Sequence, residues 1–185
     1  VAGDTTLVLP GGATMVFVLI EPGSFVMGSF SSEVGHEADE SPATEIEIPY
    51  PFYLAVYEVT EEQWFSVMET TPWDGDLNAN LPARSMTWEK ADQYATRINS
   101  WIGENTVRLP TETEWEYASR ATADSRWSFG NGEALLGDYA WYLNNSDKRP
   151  HAVGQKLPNS WGAYDMYGNV QEWTLSSYDP YPTVF

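Results

Sequence analysis

The spacing of apolar residues changes character along this chain, and the changes mark its elements. Residues 1–13 are small and Gly-rich and read as a lead-in strand or N-terminal arm. Thr14-Met15-Val16-Phe17-Val18-Leu19-Ile20 is a β-branched run of strand length. Phe25-Val26-Met27-Gly28 returns after Glu21-Pro22-Gly23-Ser24, where Pro and Gly suit a type II turn. The pattern predicts a β-hairpin. Thr44 to Ile48 alternates with period two, as a half-buried strand does, and Phe52 to Val59 reads as a further strand. The period then lengthens. Thr60-Glu61-Glu62-Gln63 has capping-box spacing and predicts a helix from Glu61 that stops near Thr71-Pro72. Thr87 is placed to cap a second helix, on which Ala91, Tyr94, Ala95, Ile98 and Trp101 form one apolar stripe before Gly103 ends it. Thr111-Glu112-Thr113-Glu114 is a second capping box, followed by Trp115, Ala118 and Ala121 on the buried side of a short helix. Beyond Thr122 the pattern is irregular and rich in aromatics, Gly and Asn.

The stretch Tyr164 to Trp173 carries candidate chemistry. Asp165 and Glu172 bracket a Gly168-Asn169 turn, and large apolar groups interleave with them. Two carboxylates and a tight turn can wrap oxygens around a hard cation. Ca²⁺ takes about 6–8 oxygens at about 2.3–2.6 Å, backbone carbonyls among them. The segment is read as a structural Ca²⁺ cradle, against the plainer alternative of a turn whose Glu172 bonds backbone amides. His36 lies in a polar loop with Glu33, Glu37, Asp39 and Glu40 and reads as solvated rather than metal-bound.

Composition narrows the function classes. At 185 residues, 42% of them hydrophobic, the chain can form one good-sized domain. Nine Trp and eleven Tyr, with 14 Gly and 12 Pro, predict a loop-rich fold in which aromatics fill irregular space. A formal charge of −18 disfavours nucleic acid and anionic membranes and favours divalent cations. The chain has no Cys, so thiol catalysis, disulfides and thiolate metal sites cannot be built from it, and its two His cannot form a three-His iron or zinc site. No stretch approaches the ~20 apolar residues of a membrane span. Val1-Ala2-Gly3-Asp4 has neither a basic n-region nor an initiator Met and fits a processed end or a trimmed one. The compartment stays open, with a preference for a secreted or periplasmic one.

A series of motifs resembles the formylglycine-generating enzyme (sulfatase-modifying factor) family. Gly23-Ser24-Phe25-Val26-Met27-Gly28-Ser29 is similar to its G-x-F-x-M-G-S, Glu58-Val59-Thr60 to its E-V-T, and Met86-Thr87-Trp88-Glu89-Lys90-Ala91 to its V-S-W-x-x-A. Arg108 to Ala118 resembles its R-L-P-T-E-x-E-W-E-Y-A, and Gly162 to Trp173 completes the series after Val153-Gly154 and Pro158-Asn159. The resemblance runs from about Thr14 to Trp173. It implies an α+β, C-type-lectin-like fold over residues 14–185. It also implies a Ca²⁺ site in which Asp165 and Glu172 contribute side-chain or carbonyl oxygens and Gly168 and Val170 backbone carbonyls. Glu58 falls on a further calcium position of the family. For Arg108, Glu112, Glu114 and Glu116 the resemblance and the capping spacing agree on a scaffold role rather than acid–base catalysis.

The converting members of the family use a cysteine pair that binds copper, and relatives that form C–S bonds take iron from His residues in an added helical domain. The family also continues through R-G-G-S-W to a terminal G-F-R, whereas this sequence ends at Phe185 with neither. A second chain that supplies this part is one expectation, removal or a different completion of the fold the others. The resulting reading is a non-catalytic, calcium-stabilised module that binds a protein or small ligand through its loops. The alternative is the scaffold part of an oxidase, of formylglycine-generating or sulfoxide-synthase type, whose catalytic residues lie outside this chain.

Overall fold

The computed structural model describes residues 3–177. Five short strands, β1 (Thr5–Val8), β2 (Thr14–Ile20), β3 (Gly23–Met27), β4 (Thr44–Ile48) and β5 (Phe52–Ala55), precede four helices. These are α1 (Glu61–Met68), α2 (Trp88–Ile102), α3 (Glu112–Arg120) and the single-turn α4 (Leu136–Tyr139). The rest of the described chain is turns, loops and three single-turn 3-10 helices, so the fold is α+β and loop-rich, as predicted. The lead-in segment does form a strand, β1, and Leu9 just after it is 1% exposed.

The predicted hairpin does not form. β2 lies between β1 and β5 in one antiparallel sheet, and β3 pairs with β4 in another. The reason lies at the corner. The Tyr117 hydroxyl donates to the Glu21 carbonyl at 3.1 Å, and its ring packs on Phe25 and leaves no room for a side chain at Gly23. Gly23 has no positive φ, so the type II turn is absent as well. Tyr117 thus wedges the two strands into separate sheets. The strand expected over Phe52–Val59 also stops early, at Ala55, because the chain leaves the sheet towards α1.

β2 is the wall between two cores. Register puts Thr5, Leu7, Met15, Phe17, Tyr53 and Ala55 on one face of its sheet, and Val18, Ile20, Leu54 and Phe52 on the other. The second face packs with Phe25, Met27, Ile48, Tyr117, Ala118, Ala163 and Met166. The first packs with Leu9, Trp64, Val67, Tyr94 and Ile98 of the helical side. Fully burying residues such as Ile20 and Ile98 contributes about 1.5–3 kcal/mol each.

The helices start where the capping boxes place them. Thr60 accepts from the Gln63 N–H at 3.2 Å while the Gln63 side chain accepts from the Thr60 N–H at 2.9 Å. Thr111 and Glu114 repeat the exchange at 3.1 and 2.8 Å. On α2 the stripe buries Tyr94, Ala95 and Ile98, but Trp101 is 61% exposed. At about 3.6 residues per turn Ile102 lies nearer the stripe's centre and takes the inward place. Glu61, in the first turn of α1, is fully buried, ion-paired to Arg84 and bonded to the Asn78 N–H at 2.7 Å. It anchors the long loop between α1 and α2. No helix among the described residues is long and apolar enough to cross a membrane.

Candidate functional site

The loop 164–173 is fixed from three sides before any cation is considered. Asn159 folds the approach: its Oδ1 accepts from the Trp161 and Ala163 N–H groups, each at 3.1 Å, and its Nδ2 donates to the Ala118 carbonyl at 2.7 Å. The Tyr164 N–H donates to the Val56 carbonyl at 3.0 Å and so brings the loop beside the segment that carries Glu58. Asp165 and Asn169 take φ of 59° and 64°, the left-handed region that short polar residues tolerate. A Cβ at Gly168 would run into the Trp141 carbonyl oxygen, so only glycine fits there. The same carbonyl accepts from the Asn169 N–H at 2.8 Å. The Asn169 side chain both accepts from the His151 N–H, at 2.9 Å, and donates to the His151 carbonyl, at 3.1 Å. His151, whose Nε2 lies 2.9 Å from the Ser146 carbonyl oxygen, stacks on Trp141 at 3.8 Å between ring centroids.

Three carboxylates meet in this frame without matching donors. Glu58 is 7% exposed, and neither of its oxygens has a hydrogen-bond partner. Burial, reinforced by the charges of Asp165 and Glu172, pushes its pKa up to about 9. Asp165 is 2% exposed; its Oδ2 accepts from the Gly154 N–H at 2.7 Å, but its Oδ1 has no partner. Burial raises it too, and the Gly154 N–H and the Lys156 charge offset part of that. Crowding by protein atoms, with Asp165 adding to it, pushes Glu172 up to about 7. Glu172 nonetheless keeps solvent-accessible surface, because it faces a cavity rather than packed core. Asn169 and the Trp115 indole stand beside Glu58 and Glu172 and offset little of the cost; the Trp115 N–H itself has no hydrogen-bond partner.

Such a cluster lacks positive charge. Orphaned oxygens on Glu58 and Asp165 fit a hard cation, which would supply the missing partner to both. Among the described residues no three His, Cys, Asp or Glu side chains converge closely enough to hold one ion by themselves. Calcium would therefore draw its remaining oxygens from backbone and water, as it commonly does. Of the residues singled out in the sequence, Asp165 and Glu172 join this cluster, and Gly168 and Val170 provide the backbone between them. Glu58, the secondary candidate, is the most strongly perturbed of the three. Lys156 and the Gly154 amide were missed, since nothing in their sequence context marks them as neighbours of Asp165.

The acidic helix start is elsewhere and is structural. Arg108 binds both Glu114 oxygens at 2.7 Å. Burial pushes Glu114 up, but the bonds from Arg108 and Thr111 outweigh it and leave it below its usual range. Arg108 is half-exposed, so the pair is a clasp at the surface, in keeping with a scaffold role. Glu116 accepts from the Gly28 N–H at 2.9 Å and from Arg120 Nε at 2.8 Å, which ties α3 to the end of β3. His36 is held by hydroxyls, with Ser29 Oγ 2.7 Å from its Nδ1 and Ser41 Oγ 3.2 Å from its Nε2.

Glu58, Val170, Glu172 and Trp173 also line a cavity of roughly 750 Å³ between the Phe17 face of the sheet, α2 and residues 106–110. Its walls are mostly apolar: Met15, Phe17, Trp64, Tyr94 and Met86 contribute. A cavity of this size with a few converging polar groups is the usual form of a binding site.

A loop-rich α+β domain with a cluster of buried carboxylates beside an apolar cavity defines a class of scaffold. The sulfatase-modifying factor enzyme 1-like domain matches residues 10–183, and the chain belongs to that family. It is 29% identical over 171 residues to the chaperone protein LppX of Paenibacillus barcinonensis, covering 66% of this chain and 61% of that protein. It is 27% identical to the hercynine oxygenase of Mycolicibacterium smegmatis, covering 97% of this chain and 50% of that one. Among solved structures it resembles PvdO from Pseudomonas aeruginosa with a TM-score of 0.77 and 27% identity, over 92% of this chain and 73% of that one. The chain thus spans about half to three fifths of the length of these curated relatives.

Proposed function

We propose that this chain is a non-catalytic, calcium-stabilised binding module on a formylglycine-generating-enzyme-like scaffold of C-type-lectin-like kind. The observation that carries the reading is the buried Glu58–Asp165 pair, in which both Glu58 oxygens and Asp165 Oδ1 lack hydrogen-bond partners. The carboxylates of Glu58 and Asp165, with backbone carbonyls of Gly168, Val170 and Glu172, would hold Ca²⁺. Bound there, the ion supplies charge neutralisation and cross-links the 164–173 loop to the segment after β5. Within the chain, the Gly154 N–H orients Asp165, the Lys156 charge eases its ionisation, and Asn169 locks the turn onto His151. LppX, whose name describes a chaperone, supports a protein as the partner.

The second reading is the scaffold part of an oxidase completed by residues outside this chain. The resemblance to a hercynine oxygenase favours it. Metal analysis of the purified protein and an oxidation assay separate the two. Stoichiometric calcium, terbium luminescence sensitised by the nearby aromatics, and no turnover of a cysteine-bearing sulfatase peptide support the binding module. Stoichiometric copper or iron, or turnover of that peptide, sinks it.

A further inference from the structure

The loop that joins β3 to β4 carries a hydrogen-bonded relay in which the calcium site has no part. The Ser29 N–H donates to the Glu40 carbonyl at 3.1 Å and closes the loop at its base. His36, midway along it, folds back onto both ends, and its side chain is only 17% exposed. Ser29 Oγ donates to Glu40 Oε2 at 2.5 Å and lies 2.7 Å from His36 Nδ1, while Ser41 Oγ lies 3.2 Å from His36 Nε2. A serine hydroxyl has one proton, and that of Ser29 is committed to the Glu40 carboxylate. The proton between Ser29 and His36 therefore sits on Nδ1. In the neutral ring Nε2 is then the acceptor, and the Ser41 hydroxyl donates to it. A nucleophile, a base and the groups that fix the base's tautomer stand in line, which is the arrangement that activates a serine.

We propose that Ser41 is a reactive hydroxyl, a modification site that takes up an acyl group from neutral or cationic esters and thioesters. Ser41 Oγ bonds to the acyl carbon as its proton passes to His36 Nε2. The bond to the leaving oxygen or sulfur then breaks, and that atom takes the proton from the imidazolium. No oxidant or further reactant enters. Ser41 is partly exposed, so a donor can reach it. Glu33, Glu37, Asp39 and Glu40 belong to the same loop, and their charge repels phosphoryl and other anionic donors. The residue after Ser41 is Pro42, which has no N–H to offer a tetrahedral oxyanion. The acyl-serine, an ordinary ester and less activated than its donor, therefore persists. The outcome is a single acylation and not repeated turnover, so it goes beyond the binding-module reading without replacing it.

The test incubates the full chain with matched aryl acetates that bear a trimethylammonium or a carboxylate group. Intact mass gives the extent of acetylation, and peptide mapping gives the position. A single acetyl on Ser41 is expected, formed at least about tenfold faster from the cationic ester at low salt, with the difference shrinking as salt is added. His36→Asn slows the reaction by about a hundredfold or more. Ser29→Ala slows it as well, and Ser29→Thr, which restores the hydroxyl, recovers it. Ser31→Ala, at an exposed serine of the same loop, leaves it unchanged. Melting midpoints of the variants check that each is folded. No acetyl on Ser41 of the wild type, equal acetylation of Ser31 or Ser32, an undiminished rate in folded His36→Asn, or equal rates from the two esters each overturns the proposal. Mapping on the wild type decides the matter even if a variant does not fold.

Discussion

Replacing Glu58 with glutamine tests the cation cradle at its most perturbed group. In the metal-free protein burial lifts Glu58 from an ordinary 4.5 to about 9. A carboxyl raised on folding favours the folded state below its unfolded pKa, and that contribution is lost as pH rises towards the folded pKa. At about 1.4 kcal/mol per unit, metal-free protein at pH 8 is less stable than at pH 4 by on the order of 5 kcal/mol from this group. The figure is an upper one, because Asp165 and Glu172 share the field. Glu58→Gln cannot titrate at this position, so its metal-free stability falls less steeply over the same range, through Asp165 and Glu172 alone. For a domain of this length each kcal/mol moves the melting midpoint by about 2–4 °C. The assay is a melting series in chelator at several pH values, repeated with calcium. Wild type gains about 2.7 kcal/mol once calcium is a hundredfold above its Kd, and the variant gains far less. If wild type and variant lose stability in parallel as pH rises, and calcium lifts both midpoints equally, Glu58 is not part of a cation site.

Other substitutions probe neighbouring parts of the same frame. Asp165→Asn keeps an acceptor for the Gly154 N–H and a residue that tolerates φ of 59°, so the protein should fold normally yet bind terbium at least about tenfold more weakly by luminescence titration. Gly168→Ala forces a methyl onto the Trp141 carbonyl and should cost more than about 3 kcal/mol in urea unfolding; a loss under 1 kcal/mol would mean that the loop is not clamped as described. Glu61→Ala strands Arg84 and the Asn78 amide and should cost about 3 kcal/mol by the same measurement, with calcium affinity unchanged.

Local rules made much of this architecture legible. Capping boxes at Thr60 and Thr111 located two helix starts to the residue, because the reciprocal side-chain bonds are made within four residues of chain. Period-two alternation located β4 for the same reason. Strand pairing was misread because the partner choice of β2 and β3 is set by Tyr117, about a hundred residues away, and no local pattern carries that information. The candidate site divides along the same line. Asp165 and Glu172 announce themselves within one short loop. Their effect on Glu58, and that of Lys156 on Asp165, arises only after the Tyr164–Val56 bond folds distant segments together. The cavity was illegible for a further reason: apolar periodicity looks the same whether or not a neighbour arrives.

The position of β2 between the two cores bears on how the molecule comes apart. Met15 and Phe17 feed one cluster while Val18 and Ile20, on the same strand, feed the other, so neither cluster can open without disturbing the shared wall. Unfolding should then be a single concerted transition. Indole emission dominated by Trp64 and Trp73 in the helical half, and by Trp161 against Tyr117 in the other, should lose its native signature at one common temperature.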